Sequence, residues 1–429
     1  MTECGSLSPK RAPRPRLEVA DIFREHGEAY RQRHVMTAEQ REVMAAISTC
    51  RTKVLGGHAD VCEKCGHVEI SYNSCRNRHC PKCQALPAAR WIDKRQERII
   101  PVHYFHLVFT LPRELRLIAL NNRRPVFDLL FKATSETLLT LGADPKSLGG
   151  RLGITAVLHT WTRELHFHPH LHCIVTGGGL SGDGRWVATS QDFLFPVRVL
   201  SALFRGKFLH GLRRLRSQLD LACIGDSAQA SANFDELVAS LYRKDWVVYA
   251  KRPFDGPQSV FAYLARYTHR VAISNYRLID FKDGQVTFAT KNARKVTVSA
   301  ETFIRRFLLH VLPKGFVKIR HYGLLSPCHA TTTLEKARAI LEHSTEQPED
   351  SLQESLEDST EEPKDFLEGS EPEPEVHNEP TIAELDSVEL LQRLTGIDLT
   401  RCPRCGEPLV RMSIEAAKTY TQPEELDSS

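Results

Sequence analysis

No stretch of the 429-residue chain approaches about 18 consecutive apolar residues, which excludes an ordinary membrane-spanning helix. The opening run PKRAPRPRLEVA lacks the hydrophobic middle of a secretory signal. No G-x-x-x-x-G-K-[ST] loop occurs anywhere, so a P-loop is excluded and no nucleotide cofactor is expected. Nor is there an internal repeat. These absences leave a cytoplasmic protein without a membrane partner as the expectation. In that compartment thiols stay reduced, so twelve cysteines read as metal ligands or inert thiols rather than disulfides. A hydrophobic fraction of 41% is enough to fill a core, and the length suits two or three domains.

The net charge of +4 conceals an uneven distribution. Residues 344–380, with EPEPE and recurrent Ser, Glu and Pro, hold fourteen acidic residues against one lysine. Elsewhere 56 basic residues face 39 acidic ones, a formal charge of +17. Such a surface suits a polyanion, because Lys and Arg contacts to phosphate supply much of nucleic-acid affinity. A scattered solvated surface is the alternative, and composition alone does not separate the two.

Composition divides the chain into five segments. Residues 1–16 read as a basic disordered arm, 17–95 as a helical plus zinc-binding domain, and 98–330 as the largest block, of alternating strand-like and helical stretches. Residues 344–380 cannot bury a core and read as an acidic disordered linker, followed by a short tail, 381–429, with a C-x-x-C. Leu17, Ile22 and Phe23, then Val43, Met44 and Ile47, lie at helical spacing and predict two short helices. YFHLVFTLP at 104–112 predicts a buried strand that Pro112 stops. HCIVTGGGLSGDGRWVA at 172–188 predicts a hairpin around a glycine-rich turn, and VTFAT (286–290) with KVTVSA (295–300) predicts another.

Nine Cys and His residues crowd residues 50–90. Cys62 and Cys65 form one C-x-x-C and Cys80 and Cys83 a second, fourteen residues on. Each two-residue gap lets a tight turn aim two thiolates at one ion, so these four are expected to form a closed, structural zinc site. Gly66 and Pro81 suit the turns. Cys50, His58, Cys75 and His79 are the candidate set for a second, mixed site, with His79 alternatively a hydrogen-bonding residue of the fold or of bound DNA. The interleaved Arg76 and Arg78 suit contact with DNA phosphate. Cys402 and Cys405 have half the ligands they need, with Cys328 and His329 as candidate completions.

HTWTRELHFHPHLHCIV at 159–175 carries five histidines. On an extended strand alternate residues share a face, so His170 and His172 point together while Leu171 enters the core. Two imidazoles on one rigid face make a platform for a divalent metal, one that would tolerate manganese or zinc as well as magnesium. Downstream, in QSVFAYLARYTHRVAISNYRL, Tyr263 and Tyr267 are four apart and share a helix face, with Arg266, His269 and Arg270 around them. A phenol with pKa near ~10 is a poor nucleophile at neutral pH, and needs a metal-polarised phosphate and nearby positive charge. Two core tyrosines on an amphipathic helix are the structural alternative.

Together GGHADVCEKCGHVEISYNSCRNRHCPKCQ, LHTWTRELHFHPHLHCIVTGGGL and YLARYTHRVAISNYRL, in that order, resemble the HUH (His-hydrophobic-His) endonucleases. The particular likeness is to two-tyrosine rolling-circle insertion-sequence transposases with an amino-terminal zinc-binding domain, and it spans roughly residues 17–330. The resemblance implies His170 and His172 as ligands of Mg or Mn, His159 as the third ligand, and Tyr263 and Tyr267 as nucleophiles. Arg266 and Arg270 fall among the expected DNA contacts. It implies an α+β fold, a mostly antiparallel sheet with helices on one face, preceded by the small zinc-binding domain. The implied chemistry is nicking and rejoining of single-stranded DNA at element ends through a 5′-phosphotyrosine, without ATP. Three rivals stay open: a replication initiator or relaxase with the same chemistry, a non-catalytic zinc-dependent DNA-binding protein, and a metallohydrolase using activated water. Oligomeric state is not assigned by the sequence.

Overall fold

The computed structural model of the chain describes residues 15–96, 98–226, 229–254, 272–328, 332–345, 382 and 385–417. The acidic stretch and the tyrosine-bearing segment 255–271 lie outside the described residues. Helices α1 (Val19–Arg33) and α2 (Ala38–Thr49) realise the two amino-terminal periodic runs. At the start of α2 the Thr37 hydroxyl accepts from the Gln40 amide at 3.2 Å, and the Gln40 side chain accepts from the Thr37 amide at 3.1 Å. This reciprocal box satisfies two amides that the helix leaves unpaired. A hairpin of β1 (Gly57–Val61) and β2 (Val68–Tyr72) follows, then α3 (Ala85–Gln96).

The principal sheet has the order β11-β4-β5-β3-β7, with β6 paired to β5, and the pairings are antiparallel. Its strands are β3 (Tyr104–Thr110), β4 (Arg151–Trp161), β5 (Phe167–Leu180), β6 (Trp186–Ala188), β7 (Val248–Phe254) and β11 (Ile319–Gly323). β5 is central. One face is apolar: Phe105, Leu107 and Phe109 of β3 and Leu171, Cys173 and Val175 of β5 pack into one core. Helices α4 (Arg116–Asn121), α5 (Arg123–Ala143), α6 (Val197–Arg214) and α7 (Ala230–Tyr242) cover that face. The opposite face carries His106, His159, His170 and His172, because the side-chain period along a strand is two. The expected strand at 104–112 and hairpin at 172–188 are both present, the latter as β5–β6. The glycines of that hairpin allow close approach. Gly178 has a φ of 153°, and a Cβ there would stand 2.7 Å from the Val187 carbonyl oxygen.

A second core crosses the divisions that composition draws. β8 (Leu278–Lys282), β9 (Gln285–Ala289) and β10 (Lys295–Ser299) form a small antiparallel sheet backed by α8 (Ala300–Leu308). Val19, Phe23, Val43, Met44 and Ile47 of the first two helices pack with Phe288, Phe303 and Phe307 of this unit. The Val19 amide also donates to the Asn275 side-chain oxygen at 3.1 Å, a buried tie. Helix α9 (Thr333–Thr345) follows β11. After the acidic stretch, α10 (Ser387–Thr395) contacts α3, and β12 (Val410–Ile414) joins β1 to give a three-stranded sheet of order β12-β1-β2. No helix among the described residues is long and apolar enough to cross a membrane.

Phe109 of β3 is fully buried, its ring edge-on to Phe204 of α6 at 5.1 Å. Truncation leaves a cavity in a close-packed layer, so Phe109→Ala is expected to destabilise the main core by about 3–5 kcal/mol. Urea denaturation followed by circular dichroism checks it; a loss below about 1 kcal/mol would contradict this packing.

Candidate metal centre

The antiparallel register places His159 opposite His170 and Val157 opposite His172, so three imidazoles converge on the uncovered face of β4 and β5. One ring nitrogen from each of His159, His170 and His172 lies within 4.8 Å of the others. Leu158 and Leu171, one residue away from the ligand positions, anchor the strands in the core. His170 Nδ1 donates to the His168 carbonyl at 2.7 Å, which leaves its Nε2 lone pair free for a cation. His172 Nδ1 lies 2.9 Å from Nε2 of His106, on β3. A proton on Nδ1 would leave Nε2 of His172 unprotonated. The His159 ring stacks on Trp161 with centroids 4.5 Å apart. Burial pushes the His170 pKa down to about 4, outweighing the carbonyl that its N–H contacts, so the imidazole is neutral at physiological pH. Three converging imidazoles, of which buried His170 is neutral, fit a divalent cation, and no carboxylate joins the group among the described residues.

His106 was not among the sequence candidates. Its signal was faint: one histidine in an otherwise apolar strand, YFHLVFT, on the alternation that matches the ligand face. His168 lies beside the centre, its ring 5.4 Å from that of His170, and His166 faces Glu164 at 3.4 Å; neither belongs to the converging group. Tyr263, Tyr267, Arg266 and Arg270 lie outside the described residues. The chain leaves the principal sheet on β7, next to β3, and is described again from Ala272.

The cysteines group differently from the expectation. Cys50, Cys75, Cys80 and Cys83 form one set, with Cys83 Sγ 3.5 Å from Cys50 and 3.7 Å from Cys75. Cys62 and Cys65 do not join Cys80 and Cys83. They sit at the tip of the β1–β2 hairpin, which carries them away, and they meet Cys402 and Cys405 instead. The chain returns along β2 and brings Cys75 back to Cys50. Neither histidine proposed for the mixed site belongs to a cluster. His58 faces Asp60 along β1 at 3.4 Å. His79 accepts from the Leu312 amide at 3.2 Å through Nε2, and its Nδ1 lies 3.3 Å from the Asn77 side-chain oxygen, so both nitrogens are engaged. Cys328 is exposed and lies 3.1 Å from the Ser326 hydroxyl, outside both cysteine sets, and His329 falls outside the described residues. Arg78 donates to the carbonyls of Phe316 and Pro313, which fastens its turn to the loop before β11; Arg76 and Arg78 are both exposed.

Four thiols at such separations suit zinc, since tetrahedral Zn–S bonds of about 2.3 Å put sulfurs about 3.8 Å apart. The first set lies within a stretch, residues 22–111, that matches the family model described as "Transposase zinc-binding domain". Residues 153–332, which include all three converging histidines, match the model described as "Putative transposase". The chain is 28% identical over 320 residues to the transposase for insertion sequence element IS801 of Pseudomonas savastanoi pv. phaseolicola, covering 72% of this chain and 76% of that protein. It is 49% identical over 344 residues to "Putative transposase y4qJ" of Sinorhizobium fredii (strain NBRC 101917 / NGR234), covering 78% of this chain and 86% of that one. The chain belongs to the rolling-circle insertion-sequence transposases with an amino-terminal zinc-binding domain.

The transposase also shows a remote likeness to a conjugative relaxase, TrwC, solved in complex with oriT DNA. The identity is 17% over 39% of this chain and 71% of that one, with a TM-score of 0.24. Within the transposase the zinc-binding match includes α1, α2, the first cysteine set and β3. The second match starts at β4 and ends before Cys402 and Cys405, so the second cysteine set draws on residues outside both.

Burial also holds His321 neutral, pushing its pKa down to about 3, with Nδ1 2.9 Å from the Thr155 hydroxyl. Its folded pKa lies below the ordinary imidazole value of about 6.5, so the unfolded chain takes the proton first. The stability His321 contributes is therefore complete above about pH 6.5 and is lost as pH falls toward about 3. The fall in Tm between about pH 7 and about pH 4.5 should accordingly be smaller in His321→Asn than in the parent. An equal fall in both would show that this imidazole does not set the acid limb.

Proposed function

We propose that this transposase nicks and rejoins single-stranded DNA through a tyrosine–phosphate ester, with His159, His170 and His172 holding a divalent cation and Tyr263 and Tyr267 as the nucleophiles. The observation that carries the reading is the convergence of three imidazoles from two paired strands, two of them with a ring Nδ1 engaged by a neighbour. Bound there, Mn or Mg would polarise the scissile phosphate and offset charge on the leaving oxygen. An all-imidazole set favours Mn over Mg, because harder oxygen donors are what Mg selects. The His168 carbonyl holds His170 in the tautomer that leaves Nε2 unprotonated, and His106 would do the same for His172 when the shared proton sits on His172 Nδ1.

One tyrosine oxygen attacks phosphorus and the bond to the 3′ oxygen breaks. A 5′-phosphotyrosine and a free 3′-OH result, and the phenol's proton passes in net terms to the 3′ oxygen. Attack by a 3′-OH on that ester reverses the step, so joining needs no nucleotide. The second tyrosine permits a second strand to be held before the first is released. The basic charge outside residues 344–380 and the exposed Arg76 supply a surface suited to the DNA backbone.

Labelled single-stranded DNA bearing element ends, incubated with Mn or Mg and run on a denaturing gel, tests the chemistry. A protease-sensitive shifted species should survive Tyr263→Phe or Tyr267→Phe alone, and vanish in the double variant and in His170→Ala. Nicking without an adduct would indicate metal-activated water instead. Binding without cleavage would leave a DNA-binding regulator. His106→Ala is expected to raise the Mn concentration for half-maximal cleavage by about 10–100-fold while the adduct still forms. An unchanged Mn requirement would remove His106 from the centre.

A further inference from the structure

We infer that the transposase carries a second structural zinc, held by Cys62 and Cys65 from the amino-terminal hairpin and by Cys402 and Cys405 from the carboxy-terminal segment. The two halves have the same local build. In CEKCGH the Cys62 amide donates to the His67 carbonyl at 2.8 Å and the Gly66 amide to the Cys62 carbonyl at 2.9 Å. In CPRCGE the Cys402 amide donates to the Glu407 carbonyl at 2.7 Å and the Gly406 amide to the Cys402 carbonyl at 2.9 Å. Gly66 and Gly406 occupy the left-handed region, at φ 68° and 76°, which lets each turn close behind its second cysteine. Each half thus presents two thiols from a matched knuckle, and the knuckles face one another.

The sulfurs interleave. Cys62 Sγ lies 3.4 Å from Cys405 and Cys65 Sγ 3.6 Å from Cys402, near the spacing of about 3.8 Å that tetrahedral Zn–S geometry sets. A disulfide would bring two sulfurs to about 2.05 Å, and all four thiols are free. Thiolates select a soft or borderline cation, and four of them close the coordination sphere, so the role is structural.

Little else holds the carboxy-terminal segment in place. Among described residues 385–417 only Leu390 and Cys402 are buried. The ladder between β12 and β1 runs in register from Gly57–Ile414 to Val61–Val410, and Arg411 donates to both oxygens of Asp60 at 2.7 and 3.2 Å. A segment with so small an apolar core needs a metal or a crosslink to stay folded. The four ligands bring together residues 337 and 343 positions apart in sequence, so the ion clasps the two ends of the chain.

Zinc content of the purified full-length chain tests the clasp, in a His170→Ala background that weakens the histidine centre. Cys402→Ser/Cys405→Ser should hold one zinc per chain fewer than its parent, whereas Cys328→Ser should hold the same. A recognition sequence for a specific protease, inserted between residues 346 and 380, gives a second readout that does not depend on those variants folding. After cleavage the piece bearing Cys402 should co-elute with the amino-terminal piece, and separate once a chelator removes the zinc. Unchanged zinc content in the double variant, or pieces that stay together after every zinc is stripped, would overturn the proposal. Neither readout depends on strand cleavage.

Discussion

The pairing of β4 with β5 is the constraint on which the centre depends. Side chains alternate along a strand, so a slip of one residue would turn His170 and His172 into the core and Leu171 and Cys173 out of it. The apolar face prevents that slip. Leu158, Leu171, Cys173 and Val175 are buried against the helices, and the free energy of burying them fixes which residues face the other way. The histidines are therefore positioned by the hydrophobic residues between them.

The same alternation supplies the partners of the converging imidazoles. Imidazoles on a rigid sheet lose little freedom on binding a metal, and their partners are supplied by the same strands. The His168 carbonyl belongs to β5 itself, and His106 reaches across from β3. Burial lowers the proton affinity of His170, so the form that can donate a lone pair is already the resting form. The convergence of the three imidazoles and the neutral state of His170 both follow from one strand arrangement.

Strands at 104–112 and 172–188, the hairpin near 286–300 and the two first helices were legible in the sequence, because alternation and helical spacing are local signals. The converging histidines were legible in part, since HPHLH places two on one face while His159 came only from resemblance. The cysteine partners were not legible. A gap of fourteen residues between two C-x-x-C pairs reads as one site, and nothing local reveals that the partners of Cys62 and Cys65 lie more than three hundred residues away. His79 misled for a related reason: its spacing from Cys75 suits a ligand, but its ring is taken by the Leu312 amide from a distant loop. His106 escaped notice because a single histidine carries no periodicity.

The second core has a consequence for how the chain is made. Val19 is tied to Asn275, 256 residues later, and Phe23 packs on Phe307 with ring centroids 5.3 Å apart. A ribosome adds about 5–20 residues per second, so roughly 13–50 s separate the emergence of the first helix from that of its partner. Throughout that interval α1 and α2 can pack on each other but lack the surface of Phe288, Phe303 and Phe307 that completes their core, while α5 and the early strands of the principal sheet can already associate. Synthesis thus runs against the usual order in which amino-terminal units finish first: here the beginning of the transposase waits, as a chaperone client would, for a segment translated after most of the sheet that it will flank.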